Sequence, residues 1–167
     1  IAREHIKAFK TIGVSIKAII KRDLNNRKGD IPFYNWENFP GFSKDIDAIV
    51  CAIDNEEEIK VLNHYIPDSI PALYEKPLFN NRLEFDRFLT NASNKKKDNT
   101  FIAYNRRHYE TVNSLKNIIN ANSSYYFEAT FSDRYSKLIR DGYSSKLNLP
   151  MYITSHWIDM IGYLIGY

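Results

Sequence analysis

The sequence is poorest in the residues that build special sites. Of 167 residues one is cysteine, Cys51, six are glycine and six are proline. A single cysteine makes no internal disulfide, which excludes a small secreted scaffold stapled by disulfides. No apolar run approaches the roughly 18 residues of a membrane-spanning helix, and the stretch Met160 to Tyr167 is far too short. No His, Cys, Asp and Glu set has the spacing of a metal site. The glycines are scattered, and no glycine-rich phosphate loop occurs anywhere. The net charge of +3, from 23 Lys and Arg against 20 Asp and Glu, is spread along the chain, with Lys95-Lys96-Lys97 the only basic triplet. That is not the electropositive stripe nucleic-acid binding needs, which argues against DNA or RNA as a partner.

What is present suits a globular enzyme or binding domain. Hydrophobic residues make up 44% and aromatics 14%, enough for a packed core, and the length predicts one domain or one with part of a second. The chain opens at Ile1 inside a helical pattern and stops at Tyr167 inside an apolar one, which reads as a fragment with apolar edges exposed at Ile1 and around Met160 to Tyr167. No signal peptide or basic transit segment is visible in these residues, which a missing start would hide, and the single cysteine points to a cytoplasmic protein.

Ile1, His5, Ile6 and Phe9 form one face of an amphipathic helix that Gly13 ends. Val14 to Ile20 reads as a strand covered on both faces, with Lys21-Arg22-Asp23 at its carboxyl end, where open α/β sheets place ligands. Gly29, Pro32, Pro40 and Gly41 mark turns around a short strand near Pro32 to Tyr34. Asp47 to Ile53 is the clearest strand, a short apolar run between polar residues. Asp54-Asn55 ends it, and Glu56-Glu57-Glu58 opens a helix to about His64, its acids complementing the helix dipole. Pro71 to Tyr74 is a further strand, Asn81 to Leu89 a helix on the pattern Leu83, Phe85, Phe88 and Leu89, and Asn91 to Thr100 a polar, basic loop. Thr100 to Tyr104 is a strand, followed by a helix carrying Val112, Leu115, Ile118 and Ile119. This alternation predicts a parallel sheet with helices on both faces. The character then changes: Tyr125 to Phe131 alternates as a more exposed strand, Asp133 to Asn148 is loop-like, and Met151 to Ile165 is an aromatic-rich helix. A domain boundary is expected between Asn120 and Ser124.

Three groups of residues carry chemistry. Glu75-Lys76-Pro77 puts a lysine at the carboxyl end of a buried strand with its conformation restricted by the following proline. A solvated loop lysine is the plain alternative. His156-Trp157-Ile158-Asp159 sets an imidazole and a carboxylate at i and i+3, a pair able to orient a hydroxyl and exchange its proton. A histidine satisfied by the core would leave the same pattern. Lys21-Arg22 stands where a dinucleotide fold meets the adenine ribose, and basic residues there favour the 2′-phosphate of NADP over the 2′-hydroxyl of NAD, unless they are simply solvated. His5 and His64 read as ordinary helix-face residues, and Cys51 as packing in a buried strand.

In this order the pieces resemble the glucose-fructose oxidoreductase, inositol dehydrogenase and MocA (Gfo/Idh/MocA) family of NAD(P)-dependent oxidoreductases. Ile1 to His5 looks like the helix after that family's glycine-rich fingerprint. Asp47 to Asn55 is similar to its fourth strand and the following cofactor-contacting turn, with Ile53-Asp54 replacing the usual Thr-Pro. Glu75-Lys76-Pro77-Leu78 matches its Glu-Lys-Pro motif, Tyr104-Asn105-Arg106-Arg107 the segment closing its dinucleotide domain, and His156 to Asp159 its substrate-domain histidine motif. The family often has an aspartate four residues before that histidine; here the position is Tyr152.

The resemblance implies a Rossmann-type doubly wound parallel α/β sheet lacking its first strand over residues 1–120, and the beginning of an α+β substrate and oligomerisation domain over 121–167. It implies NAD or NADP, a sugar, cyclitol or sugar-nucleotide substrate whose hydroxyl or keto carbon exchanges a hydride, and a homo-oligomer. Lys76, His156 and, as an outside candidate, Tyr152 would be catalytic. Asp159 and Arg106 would bind substrate. Lys21, Arg22, Ala52, Asn55, Glu75, Lys76 and Pro77 would meet the cofactor. A non-catalytic NAD(P)-binding or sugar-sensing protein of the same fold is the alternative, with Tyr152 as the discriminating residue.

Overall fold

The computed structural model describes residues 2–20, 30–35, 45–53, 64–121, 124, 126–130 and 154–166. The helix opened by Glu56, the loop from Asp133, and the expected site residues Lys21, Arg22, Asn55 and Tyr152 lie outside the described residues.

Helix α1 (Ala2–Thr11) follows the predicted periodicity and stops where Gly13 takes φ +75, a left-handed conformation that glycine adopts without strain. Strand β1 is confined to Ile19–Ile20 and pairs in parallel with β2 (Phe33–Tyr34). This corrects the expected strand from Val14: residues 14–18 make no ladder, and Val14 is exposed. Their apolar character serves a groove instead, lined by Ile6, Phe9, Val14, Ile16, Val50 and Ile53 among others, of about 650 Å³.

A second sheet holds β3 (Ile49–Cys51), β4 (Ala72–Tyr74) and β5 (Thr100–Ile102) in that order, all parallel, with Ile49 opposite Ala72 and Ala72 opposite Thr100. The ladder continues past the carboxyl ends, where Glu75 N–H donates to Cys51 O at 3.0 Å and Ala103 N–H to Tyr74 O at 2.8 Å. Cys51, Ile66, Ala72, Tyr74, Leu78 and Phe79 form its core, with Phe88 of α2 (Arg82–Asn91) packed against it. Asn81 caps α2 by accepting from Glu84 N–H, and Glu84 Oε2 accepts from Asn80 N–H, a reciprocal arrangement that fixes the helix start. Of the predicted apolar face of α2, Leu83, Phe85 and Leu89 remain exposed, while Phe88 packs on the core.

The expected basic loop over Asn91 to Thr100 is corrected to a short helix, α3 (Asn94–Asp98), capped by Ser93. Its Lys96 is buried, with Nζ donating to Ile66 O and lying 3.7 Å from Asp68. Burial lowers its pKa, and Asp68 works in the opposite direction. Polarity marked a loop because a buried lysine with its own carbonyl partner leaves no periodic signal.

After β5 come a 3₁₀ turn (Asn105–His108) and α4 (Glu110–Asn120). Helix α5 (Ser155–Ile165) lies against both, and Val112, Ile119 and Leu164 form a second core with Phe127, Met160 and Tyr163 packed on it. The apolar end therefore is not an open edge throughout: Leu164 is 2% exposed. Residues 124 and 126–130 form no strand, and Tyr126 is 87% exposed, which corrects the expected strand over Tyr125 to Phe131. Alternation alone cannot hold a strand that lacks a partner edge.

Candidate functional site

The carboxyl ends of β4 and β5 bring two of the motifs together. Glu75 and Lys76 leave β4 where Tyr104 to Arg107 leave β5, because the two strands are in parallel register. The peptide between Lys76 and Pro77 is cis. The amino end of α5 adds His156, whose ring stands edge-on to Tyr104 with centroids 5.8 Å apart.

His156 is half-buried, and its pKa is lowered to about 4. Burial is the main cause, the positive charges of Lys76 and Arg106 add to it, and Glu75 and Asp159 oppose it. The imidazole is therefore neutral at pH 7 and able to accept a proton. Its Nδ1 is buried with no hydrogen-bond partner, and so is Nη1 of Arg106. Tyr104 has its pKa raised, chiefly by burial, with the Ser155 hydroxyl acting the other way.

The adjacent arginines are used differently. Arg107 donates from Nε to Asp159 Oδ2 at 2.6 Å and from Nη2 to Asp159 Oδ1, a two-point pair that raises the arginine's pKa. Arg106 instead stacks on Trp157, its guanidinium carbon 3.6 Å from the ring centroid. Glu75 accepts from His5 Nε2 at 2.7 Å, tying α1 to the loop after β4. Periodicity had no means of finding this contact, and His5 is not the ordinary helix-face residue it resembled. Ala52 follows β3 at the same end of the sheet, and Pro77 is buried beside the core. Among the described residues no three His, Cys, Asp or Glu side chains are grouped to hold a metal, and no helix is long and apolar enough to cross a membrane.

Short parallel strands, with polar side chains gathered at their carboxyl ends and helices crossing between β4 and β5, define a mixed α/β fold consistent with a Rossmann-like nucleotide-binding domain. Solved structures of Gfo/Idh/MocA-type dehydrogenases match it over nearly the whole chain. The WlbA dehydrogenase of Thermus thermophilus, solved with NAD and UDP-GlcNAcA, is 17% identical with a TM-score of 0.68, covering 98% of this chain and 59% of that one. A Sinorhizobium meliloti protein assigned as a myo-inositol dehydrogenase is 16% identical with a TM-score of 0.73, covering 98% and 52%. The myo-inositol 2-dehydrogenase of Lactobacillus plantarum is 18% identical with a TM-score of 0.58, covering 91% and 49%. At these identities the likeness is one of fold, and the chain spans about half the length of the structures it matches. No protein-family model and no curated protein matches the sequence.

Proposed function

We propose that the chain is the larger part of a dinucleotide domain and the start of a substrate domain, divided near residues 120–124, in an NAD(P)-dependent oxidoreductase. Its substrate is a sugar, cyclitol or sugar-nucleotide. The observation that carries this reading is the gathering of Lys76, Arg106 and a neutral His156 from three separate elements at the carboxyl end of a parallel sheet. The NAD and UDP-GlcNAcA bound by the Thermus protein support the same classes of cofactor and substrate.

The donor set fits a polar substrate held next to the nicotinamide end of a dinucleotide, since His156 and Arg106 each hold a buried polar atom without a partner and lie near Lys76. When bound, nicotinamide supplies the acceptor or donor of the hydride. Lys76 polarises and positions the substrate hydroxyl, and His156, kept neutral, takes its proton. Arg106 and Asp159 stand on the substrate side, Asp159 acting through Arg107. Ala52, Glu75 and Pro77 stand on the cofactor side, and Lys21, Arg22 and Asn55 are carried there by sequence alone. The basic pair Lys21-Arg22 favours NADP. Tyr152 remains a proton-transfer candidate on the same footing.

The groove between the sheets supports the finer fold reading. Ile49 N–H donates to Pro71 O and Ile19 N–H to Pro32 O, so the alternate residues Val50 and Ile20 turn their backbone groups toward the groove. One more parallel strand there would join β1–β2 to β3–β4–β5 as a single doubly wound sheet.

Substitution of Lys76→Met in the protein is expected to remove most turnover, at least about a hundredfold by the usual scale of acid-base and positioning groups, with NAD(P) affinity nearly unchanged. Turnover assays over a panel of sugars and polyols, beside NAD and NADP titrations followed by fluorescence, check this. Unchanged turnover sinks the assignment of Lys76; NADPH binding without turnover of any substrate favours the sensing protein.

A further inference from the structure

In the cluster around His156, Arg106 has no carboxylate partner among the described residues. Five groups act on or beside the imidazole: Lys76, Arg106, Glu75, Asp159 and the Tyr104 ring. Asp159 has both oxygens taken by Arg107. Glu75 accepts from His5 and immediately precedes Lys76 in the chain. Arg106 makes no ion pair among the described residues; its guanidinium carbon sits 3.6 Å over the centroid of the Trp157 ring, with Nη1 buried and unpartnered. A guanidinium fixed in orientation by an aromatic ring has lost little freedom still to lose, and its planar fork suits two-point capture of a carboxylate. Leaving such a group unpaired is costly, and a ligand that pairs it recovers that cost.

We propose that the substrate carries a carboxylate, and that Arg106 binds it beside His156. This rests on the reading of the cluster as the substrate side of an oxidoreductase site, and it narrows that reading to sugar acids or their nucleotide derivatives. A neutral sugar would leave Arg106 unpaired. A bound carboxylate would also offset the cationic field that Lys76 and Arg106 exert on His156, so the imidazole would titrate closer to neutrality in the complex and could serve as acid as well as base.

D-glucuronate and D-glucose serve as probes, titrated into the protein while the ring-proton resonances of His156 are followed by NMR. Glucuronate is expected to bind at least about tenfold more tightly than glucose, and to raise the His156 titration midpoint by about one unit. Arg106→Met should abolish the preference and the shift, while Arg106→Lys keeps part of both. Equal binding of the two sugars overturns the proposal, as does a preference that survives in Arg106→Met. Should that variant fail to fold, the comparison of the two probes on the unaltered protein decides alone. The wider reading is separable: turnover of neutral polyols with NAD(P), with glucuronate bound no more tightly than glucose, would keep the oxidoreductase and discard the carboxylate. Glucuronate binding with its His156 shift, without turnover of any substrate, would do the reverse.

Discussion

The two sheets are both parallel and very differently covered. Around β3, β4 and β5 the side chains of Tyr74 and Leu78 are 0% and 1% exposed, and helix α2 closes over Phe79 through Phe88. Around β1 and β2 no described residue is buried, and α1 contributes none to a core. The difference teaches where rigidity is needed. The covered sheet delivers Glu75-Lys76 and Tyr104 to Arg107, so its packing sets the positions of the candidate chemical groups. The open sheet faces the groove, which α1 also lines, and His5 ties α1 to Glu75 after β4.

The largest test of this contrast is truncation in each half. Leu78→Ala should cost about 3 kcal/mol, the usual range for deleting a buried leucine, whereas Ile6→Ala on the groove wall should cost about 1 kcal/mol or less. Denaturant midpoints measure both, and equal losses would dissolve the distinction. Asp159→Asn should cost about 2 kcal/mol, less than for a fully buried pair because Arg107 is 42% exposed. It leaves the guanidinium without its carboxylate, and loss of α5 packing against the 3₁₀ turn would show in the near-UV dichroism.

A third test uses pH. The His156 midpoint is depressed from 6.5 to about 4, so below pH 6.5 the unfolded chain binds a proton that the folded chain refuses. Stability present above pH 6.5 is therefore lost as pH falls toward 4. Since the ring is only half-buried, solvent screening leaves about 1 to 2 kcal/mol. His156→Gln should flatten that part of the stability profile, and an unchanged profile would mean the imidazole is not held neutral. The smallest effect is local: the amides of Ile49, Ala72 and Ala103, bonded within the covered sheet, should exchange with solvent slowly, and those of Ile20 and Val50, directed at the groove, quickly. A strand supplied to the groove would reverse the last two.

Much of the strand order was legible because short parallel strands are written as apolar runs. Ile49 to Cys51, Ala72 to Tyr74 and Thr100 to Ile102 lie inside the predicted segments. The misses share a cause. Val14 to Ala18 is apolar for a groove, Lys95 to Lys97 is basic yet helical with Lys96 buried, and residues 126–130 alternate without pairing. In each, the deciding interaction is with a residue distant in sequence. The site behaves alike: Lys76, Arg106 and His156 are chosen by their motifs, but neither the His5 contact to Glu75 nor the unequal use of Arg106 and Arg107 leaves a local trace.

The sequence by itself determined the absence of a disulfide framework, the alternation of short strands and helices, and which few polar residues follow the strands, because these depend on composition and nearest neighbours. Only the tertiary structure decided what those residues meet. It made His156 neutral by burying it near two cations, it paired Arg107 with Asp159 and left Arg106 on Trp157, and it opened an apolar groove between two parallel sheet edges. Charge, burial and edge pairing are properties of the whole packed chain, and they turn one scattered cysteine-poor, glycine-poor sequence into a site with a direction of chemistry.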